Sequence, residues 1–206
     1  MKKALTKRQL QARETRAKII NVALTLFNEY GFQSVSMEMI AEQAQVSIGA
    51  IYHYFKSKEE IAVQTLSVLD EQYAEFFAEL QADKQYADMS PLDKLKVFFV
   101  FVQVKSSEQG WLNYAYIYDL KNMEGKIVRV NEERGIYRCY SELLDDCKRS
   151  EELPENIENN KYISVFTQTS RGLLVDWMLN GKGFDIEDQA KELIEIVIKG
   201  IKSAER

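Results

Sequence analysis

The chain is 206 residues long, 46% hydrophobic and 29% charged, with a formal net charge of −5 and only two prolines and nine glycines. Long unbroken stretches of 3.6-residue period with so few breakers point to an all-α fold. No apolar run reaches the roughly 18 residues of a membrane span, the basic start lacks a leader's apolar core, and two cysteines with one histidine supply neither a metal-ligand set nor a nucleophile–base pair, so a cytoplasmic protein without metal or cofactor is expected.

Taken in order, the chain opens on a basic arm, with Lys2, Lys3, Lys7, Arg8, Arg13, Arg16 and Lys18 against a single Glu14. Such an arm suits phosphates or a minor groove. Leu24 and Phe27 behind it are core residues, ahead of Gly31-Phe32. Ser36 is then a candidate N-cap, its hydroxyl placed to accept from the free amides of a first turn. Met37, Ile40, Ala41 and Ala44 recur behind it at helical spacing. Gln45-Val46 breaks the pattern, and Ser47 offers a second N-cap ahead of Ile48, Ala50, Ile51 and Phe55. Met39 and Ala50 occupy the N3 positions, so neither start is a full capping box and both short helices must lean on tertiary packing. Two short capped helices a few residues apart predict a helix-turn-helix, whose second member enters the DNA major groove. A helical hairpin that binds nothing fits the pattern too, but the next residues favour DNA. Tyr52, His53, Tyr54, Lys56 and Lys58 bring hydroxyls, an imidazole and ammonium groups, all donors to phosphate oxygens. Gly49 lets backbone approach a groove. Residues 1–60 hold nine Lys and Arg against six Glu, a net +3, so with −5 overall residues 61–206 carry −8. A basic head on an acidic body fits nucleic-acid binding at one end.

Beyond the head, a helix is expected from Ser57 to Leu80, and a second from Ser90-Pro91, a cap followed by proline at N1, to about Lys105. Its LKVFFVFVQV segment is apolar nearly all round and belongs at the centre of a core. A short aromatic helix over Trp111–Leu120, a long one over Gly125–Cys147, another over Glu155–Asn180 and a last one over Ile186–Ala204 complete the second part. Cys139 and Cys147, eight residues apart on one helix and so about 12 Å apart along it, cannot pair there.

The segment from Thr15 to Lys58 resembles the DNA-binding domain of TetR-type (tetracycline-repressor-like) bacterial transcriptional regulators. The residues that carry it are ARETRAKIINVALTLFNEYGF and VSMEMIAEQAQVSIGAIYHYFKSKEEI, in which Ser47, Gly49, Tyr52, Phe55 and Lys58 stand where that family has a Ser or Thr, a Gly, a central Tyr, a Phe and a Lys. The remaining two thirds match in length and helical character only. The resemblance implies an N-terminal three-helix helix-turn-helix DNA-binding domain, residues 1–56, and a C-terminal helical ligand-binding and dimerisation domain, residues 57–206. Carried over position by position, Ser36 and Ser47 cap helices and donate to phosphates. Tyr52 meets phosphate or a base edge, His53 and Tyr54 the DNA backbone, and Lys58 a phosphate. Gln45, Ile48 and Ala50 are candidates for base readout, the last two through apolar contact such as a thymine methyl.

In that family the last two helices of two subunits build a four-helix interface. Here they carry Leu173, Leu174, Trp177 and Met178, then Leu193, Ile194, Val197, Ile198 and Ile201; closing the protomer's own core is the other use of these stripes. A homodimer also follows from the reading of a palindrome by two recognition helices one DNA turn apart. For a small-molecule effector, Phe98, Phe101, Trp111, Tyr114, Tyr118, Tyr137, Tyr140 and Phe166 are candidate pocket walls, and core packing is the plain alternative. Asp119, Glu124, Glu142 and Asp145 lie near them in sequence and would suit a lipophilic cation. The implied protein is a ligand-responsive repressor, a homodimer on a palindromic operator released by a small hydrophobic effector. A regulator whose second domain senses a partner protein or nothing is the alternative. An enzyme is the remote one, for lack of a catalytic set.

Overall fold

The computed structural model describes residues 6–108 and 135–204. By internal contacts the chain divides into two units, the first within residues 6–68 and the second in residues 69–108 and 135–204, the chain passing from one to the other within a single helix.

In the first unit, α1 (Lys7–Tyr30) opens on a capping box in which Thr6 accepts from the Gln9 backbone while the Gln9 side chain accepts from that of Thr6. The basic arm is thus helical from Lys7 onward, and Lys2 and Lys3 lie outside the described residues. Gly31, at φ +77°, closes α1 with its N–H on the Phe27 carbonyl. After a short turn come α2 (Met37–Gln43) and α3 (Ile48–Tyr54), capped by Ser36 and Ser47 as their spacing predicts, at 3.2 and 3.1 Å. Between them Gln45 adopts a left-handed φ of +54°, with its N–H on the Glu42 carbonyl and that of Val46 on the Ala41 carbonyl. These paired bonds are a Schellman ending, which sets the corner of the helix-turn-helix. Ile19, Ala23, Phe27, Phe32, Ile40, Ala44, Ile51 and Phe55 are buried and form the head's core.

Helix α4 (Lys58–Ala82) begins in the first unit and ends in the second. There α5 (Pro91–Glu108) starts at the Ser90 cap, with Pro91 at N1, and packs against α6 (Gly135–Arg149), α7 (Asn159–Leu179) and α8 (Ile186–Ala204). Its apolar sequence is central, as expected: Leu95, Phe98, Phe99 and Val102 are all buried. From α4, Phe76 stacks on Phe101 at 3.8 Å and Phe77 meets Phe98 edge-on at 6.1 Å. The α7 helix starts at Asn159 rather than Glu155, because residues 154–157 form a turn in which Ile157 donates to the Pro154 carbonyl and both Leu153 and Ile157 drop into the core. Cys139 and Cys147 lie on α6, buried and unpaired. The expected helix over Trp111–Leu120 falls outside the described residues. No described helix is long and apolar enough to cross a membrane.

Candidate functional site

Helix α3 is held by one side and presents the other. Ile51 turns into the head and is fully buried, as is Phe55 just beyond the helix, while Ile48, Gly49, Tyr52 and His53 face outward. Positions i, i+1, i+4 and i+5 share one helix face, so these four make a continuous exposed strip. Ile48 is 44% and Tyr52 47% exposed, large for apolar and aromatic side chains without a role in folding. Ala50 and Tyr54 flank the strip half-buried, and the Tyr54 ring meets the His53 ring edge-on at 5.5 Å. A Cβ at Gly49 would meet nothing within 4 Å, so its lack of a side chain keeps that part of the surface low instead of relieving any crowding. Gln45 and Ser47 are exposed beside the start of α3, whereas Ser36 is half-buried at the start of α2. Both hydroxyls are occupied as acceptors in capping and retain their own hydrogens for a further partner.

Lys58 behaves differently from the phosphate ligand its sequence position suggests. Its ammonium donates to the carbonyls of Phe32 at 2.7 Å, Val35 at 3.0 Å and Gln33 at 3.4 Å, and lies 4.4 Å from the Phe32 ring centroid. An ammonium has three donors, and all three are used inside the head. The residue ties the first turn of α4 to the corner between α1 and α2. That first turn is itself fixed: Ser57 accepts from the Glu60 N–H, and the Glu60 carboxylate accepts from that of Lys56. Arg16 is likewise engaged, its guanidinium 5.1 Å above Phe55, which leaves Lys7, Arg8, Arg13, Lys18 and Lys56 as exposed cations of the described head.

In the second unit, the aromatic set splits three ways. Phe98, Tyr140 and Phe166 come together fully buried, with Tyr140 at 5.1 Å from Phe98 and 5.2 Å from Phe166 and with Phe99 completing the group at 6.1 Å from Phe166. Tyr137 is buried in the same core, and Phe101 is partly buried on Phe76. Trp111, Tyr114 and Tyr118, with Asp119 and Glu124, lie outside the described residues. The expected carboxylate lining is corrected for the two that are described. Glu142 is exposed opposite Arg138, and Asp145 is held by Lys148 and Asn159. Among the described residues the buried polar side chains are the neutral Gln103, Ser106 and Ser170. Gln103, the lone amide in the apolar run of α5, donates to Ser170 at 2.6 Å and to the Phe99 carbonyl. That interruption of an apolar stretch is legible in sequence, although the aromatic residues around it draw the eye first.

The stripe on α7 and α8 divides. Leu174, Ile194, Ile198 and Ile201 are buried within the protomer and are not available to a partner. Leu173, Trp177, Met178, Leu193 and Val197 are half-exposed, with Trp177 donating to the Phe184 carbonyl at 3.1 Å. Leu179 and Ile196, absent from the expected set, are 63% and 64% exposed. Helical phase explains the division on α8: Ile194, Ile198 and Ile201 share one face, Ile196 lies opposite, and Leu193 and Val197 lie between, Val197 packed partly buried against the core.

Comparison with known proteins gives two family matches. Residues 19–65 match the bacterial regulatory proteins of the tetR family, and residues 108–203 match the C-terminal region of MAATS-type transcriptional repressors. The chain is 25% identical over 198 residues to the HTH-type transcriptional regulator AcrR of Shigella flexneri, covering 94% of this chain and 92% of that one. It is 25% identical over 196 residues to the fatty acid metabolism regulator protein of Bacillus subtilis, covering 93% and 97%. Its fold is similar to that of a transcriptional regulator FadR from Bacillus subtilis in complex with stearoyl-CoA, with a TM-score of 0.70, 20% identity and coverage of 90% and 98%.

Proposed function

Because the chain belongs to the tetR family of bacterial regulatory proteins, we propose that its effector is a long-chain acyl thioester, whose arrival in the second unit frees the operator. Family membership makes it a ligand-responsive, DNA-binding transcriptional regulator acting as a homodimer, and not an enzyme. The single observation that carries the head's role is the exposed strip Ile48, Gly49, Tyr52 and His53 on a helix capped and corner-locked behind it. In our reading Tyr52, His53 and Tyr54 meet phosphates, while Gln45, Ile48 and Ala50 meet base edges, with Ser36 and Ser47 completing the backbone contacts. Lys58 keeps the α1–α2 corner in place for them. The head comprises residues 1–56, the effector and dimerisation domain residues 57–206, and the place of action is the cytoplasm.

The effector class rests on chemistry and likeness together. The described core of the second unit is aromatic and aliphatic with neutral polar groups only, which suits an alkyl chain and not a cation. A relative that spans nearly the whole chain is a fatty acid metabolism regulator. The ligand shifts the equilibrium only by its differential affinity for the DNA-bound and free arrangements. The test is fluorescence anisotropy of an operator duplex titrated with stearoyl-CoA. Release at micromolar ligand, with free CoA inert, supports the reading; an operator complex indifferent to stearoyl-CoA refutes this effector class.

One observation favours the second reading, a unit that senses a partner protein or nothing. Phe98, Phe99, Tyr140 and Phe166 are all 0% exposed, a core already filled by its own side chains. Ligand saturation that leaves the melting temperature unmoved would favour it.

A further inference from the structure

The core of the second unit is filled but not satisfied. The Oε1 of Gln103 and the hydroxyls of Tyr137, Tyr140 and Tyr162 are buried without a hydrogen-bond partner, and all four residues are at least nine-tenths buried. Native cores leave few such groups, and each requires an explanation. Two of the four, Gln103 and Tyr140, are linked through residues grouped about Phe166. Tyr140 packs its ring against Phe166, while Gln103 bonds to Ser170, one turn further along α7, and to the carbonyl of Phe99, whose ring also meets Phe166. A second polar pair, Tyr73 with Ser106 at 2.7 Å, lies one turn along α5 from Gln103. Helices α4, α5, α6 and α7 thus contribute polar groups to one aromatic core, in which the Gln103 Oε1 and the Tyr140 hydroxyl are left without partners.

We propose that Gln103 and Tyr140 are the hydrogen-bonding end of the effector site, and that they take an uncharged amide-bearing group carried on an alkyl chain, the amide N–H donating to Gln103 Oε1 and an acyl oxygen accepting from the Tyr140 hydroxyl. This rests on the effector reading above and gives it a chemical address. An acyl thioester of a pantetheine arm carries these two functions a few atoms apart, and so does a plain fatty acid amide. A carboxylate or ammonium at this end would be buried without a counter-charge among the described residues. Since Gln103 and Tyr140 are 0% exposed, the ligand must part α5 from α6 and α7 to reach them. A ligand that fits only the parted arrangement has the differential affinity that release of DNA requires.

The test is calorimetric titration of the full-length protein with stearoyl-CoA and, separately, with N-stearoyl ethanolamine, comparing wild type, Tyr140→Phe and the double variant Gln103→Leu/Ser170→Ala. The first expected result is that both variants melt at or above the wild-type temperature, because each removes an unsatisfied buried group. The second is that each binds the probes about tenfold more weakly, the worth of one lost hydrogen bond. Binding of both probes places the site on the shared amide and acyl oxygen; binding of stearoyl-CoA alone places it on the pantetheine arm. If wild type and variants bind with equal affinity, or if Tyr140→Phe lowers the melting temperature because its hydroxyl already had a partner such as an enclosed water, the proposal is overturned while the effector class survives. If wild type binds neither probe, both fail.

Discussion

Lys58 shows how far a residue's place in a motif can diverge from its work. At the sequence level it stands after a recognition helix among other cations, and a phosphate contact is the natural reading. In the folded head its three donors are spent on Phe32, Gln33 and Val35. Hydrogen bonds from a charged donor to carbonyls hold more than neutral ones, so Lys58→Met is expected to destabilise the head by about 1–3 kcal/mol. Operator affinity then falls through loss of order in α2, while the salt dependence of what binding remains keeps its slope, because no counterion-releasing contact has gone. Tyr52→Phe should instead leave stability unchanged and weaken binding to all sequences. A Lys58→Met protein of wild-type stability with a shallower salt slope would restore the phosphate role. The two thiols make a simpler case. Burial pushes Cys139 up to about 11 and Cys147 up to about 12, so at pH 8 almost no thiolate is present. Iodoacetamide is expected to label neither until urea unfolds the second unit; mass spectrometry of the native protein checks this.

At the scale of elements, caps and corners were legible because they depend on nearest neighbours. Ser36, Ser47 and Ser90 start helices where their spacing says they should, and Ile186–Ala204 is the expected last helix. The Thr6 capping box carried a readable Thr-x-x-Gln signature, yet a run of basic residues made the segment look like an arm. The start of α7 was misplaced because Leu153 and Ile157 are apolar at helical spacing but are buried from a turn instead. Long-range caps cannot be read from local sequence at all. Glu152, at the end of the α6 turn, accepts from the Leu92 N–H at 3.0 Å, sixty residues away, and so caps α5. Partial burial pushes its carboxyl up, but hydrogen bonds from Ser90, Leu92 and Ser150 and the nearby Lys202 outweigh this and hold it below its usual value. A group with a depressed folded value stabilises above its unfolded value and loses that contribution as pH falls through the folded one. The urea midpoint is therefore expected to drop below about pH 4.5, with that part of the drop absent in Glu152→Gln. Identical profiles for the two proteins would remove Glu152 from the account.

For the whole molecule, the helix that presents the exposed strip was legible and the exposed apolar surface of α7 and α8 only half so. Periodicity marks a helix as apolar but does not say which of two apolar faces meets its own core. The stripe on α8 proved to be graded: Ile194, Ile198 and Ile201 look inward, Val197 packs partly buried against the same core, Leu193 is half-exposed and Ile196 looks outward. Ile196 and Leu193, with Met178 and Leu179 of α7, make the surface on which the second subunit is expected. Ile196→Asp, at a 64% exposed position that the protomer's core does not need, should leave the melting transition of dilute protein cooperative and shift sedimentation from dimer toward monomer. Operator affinity falls with it, because a single head has half the contacts. A dimer that survives both Ile196→Asp and Leu179→Asp would place the interface elsewhere.

The account stands or falls on the link between sequence-specific DNA binding and an acyl ligand in one protein. The most direct measurement is selection of fragmented genomic DNA from the parent organism on the purified dimer at moderate salt, run with and without stearoyl-CoA. The account predicts enrichment of an inverted repeat whose half-sites lie about one helical turn apart, and loss of that enrichment when the ligand is present. Enrichment of no sequence, from protein as purified and from protein refolded free of bound ligand, would contradict it.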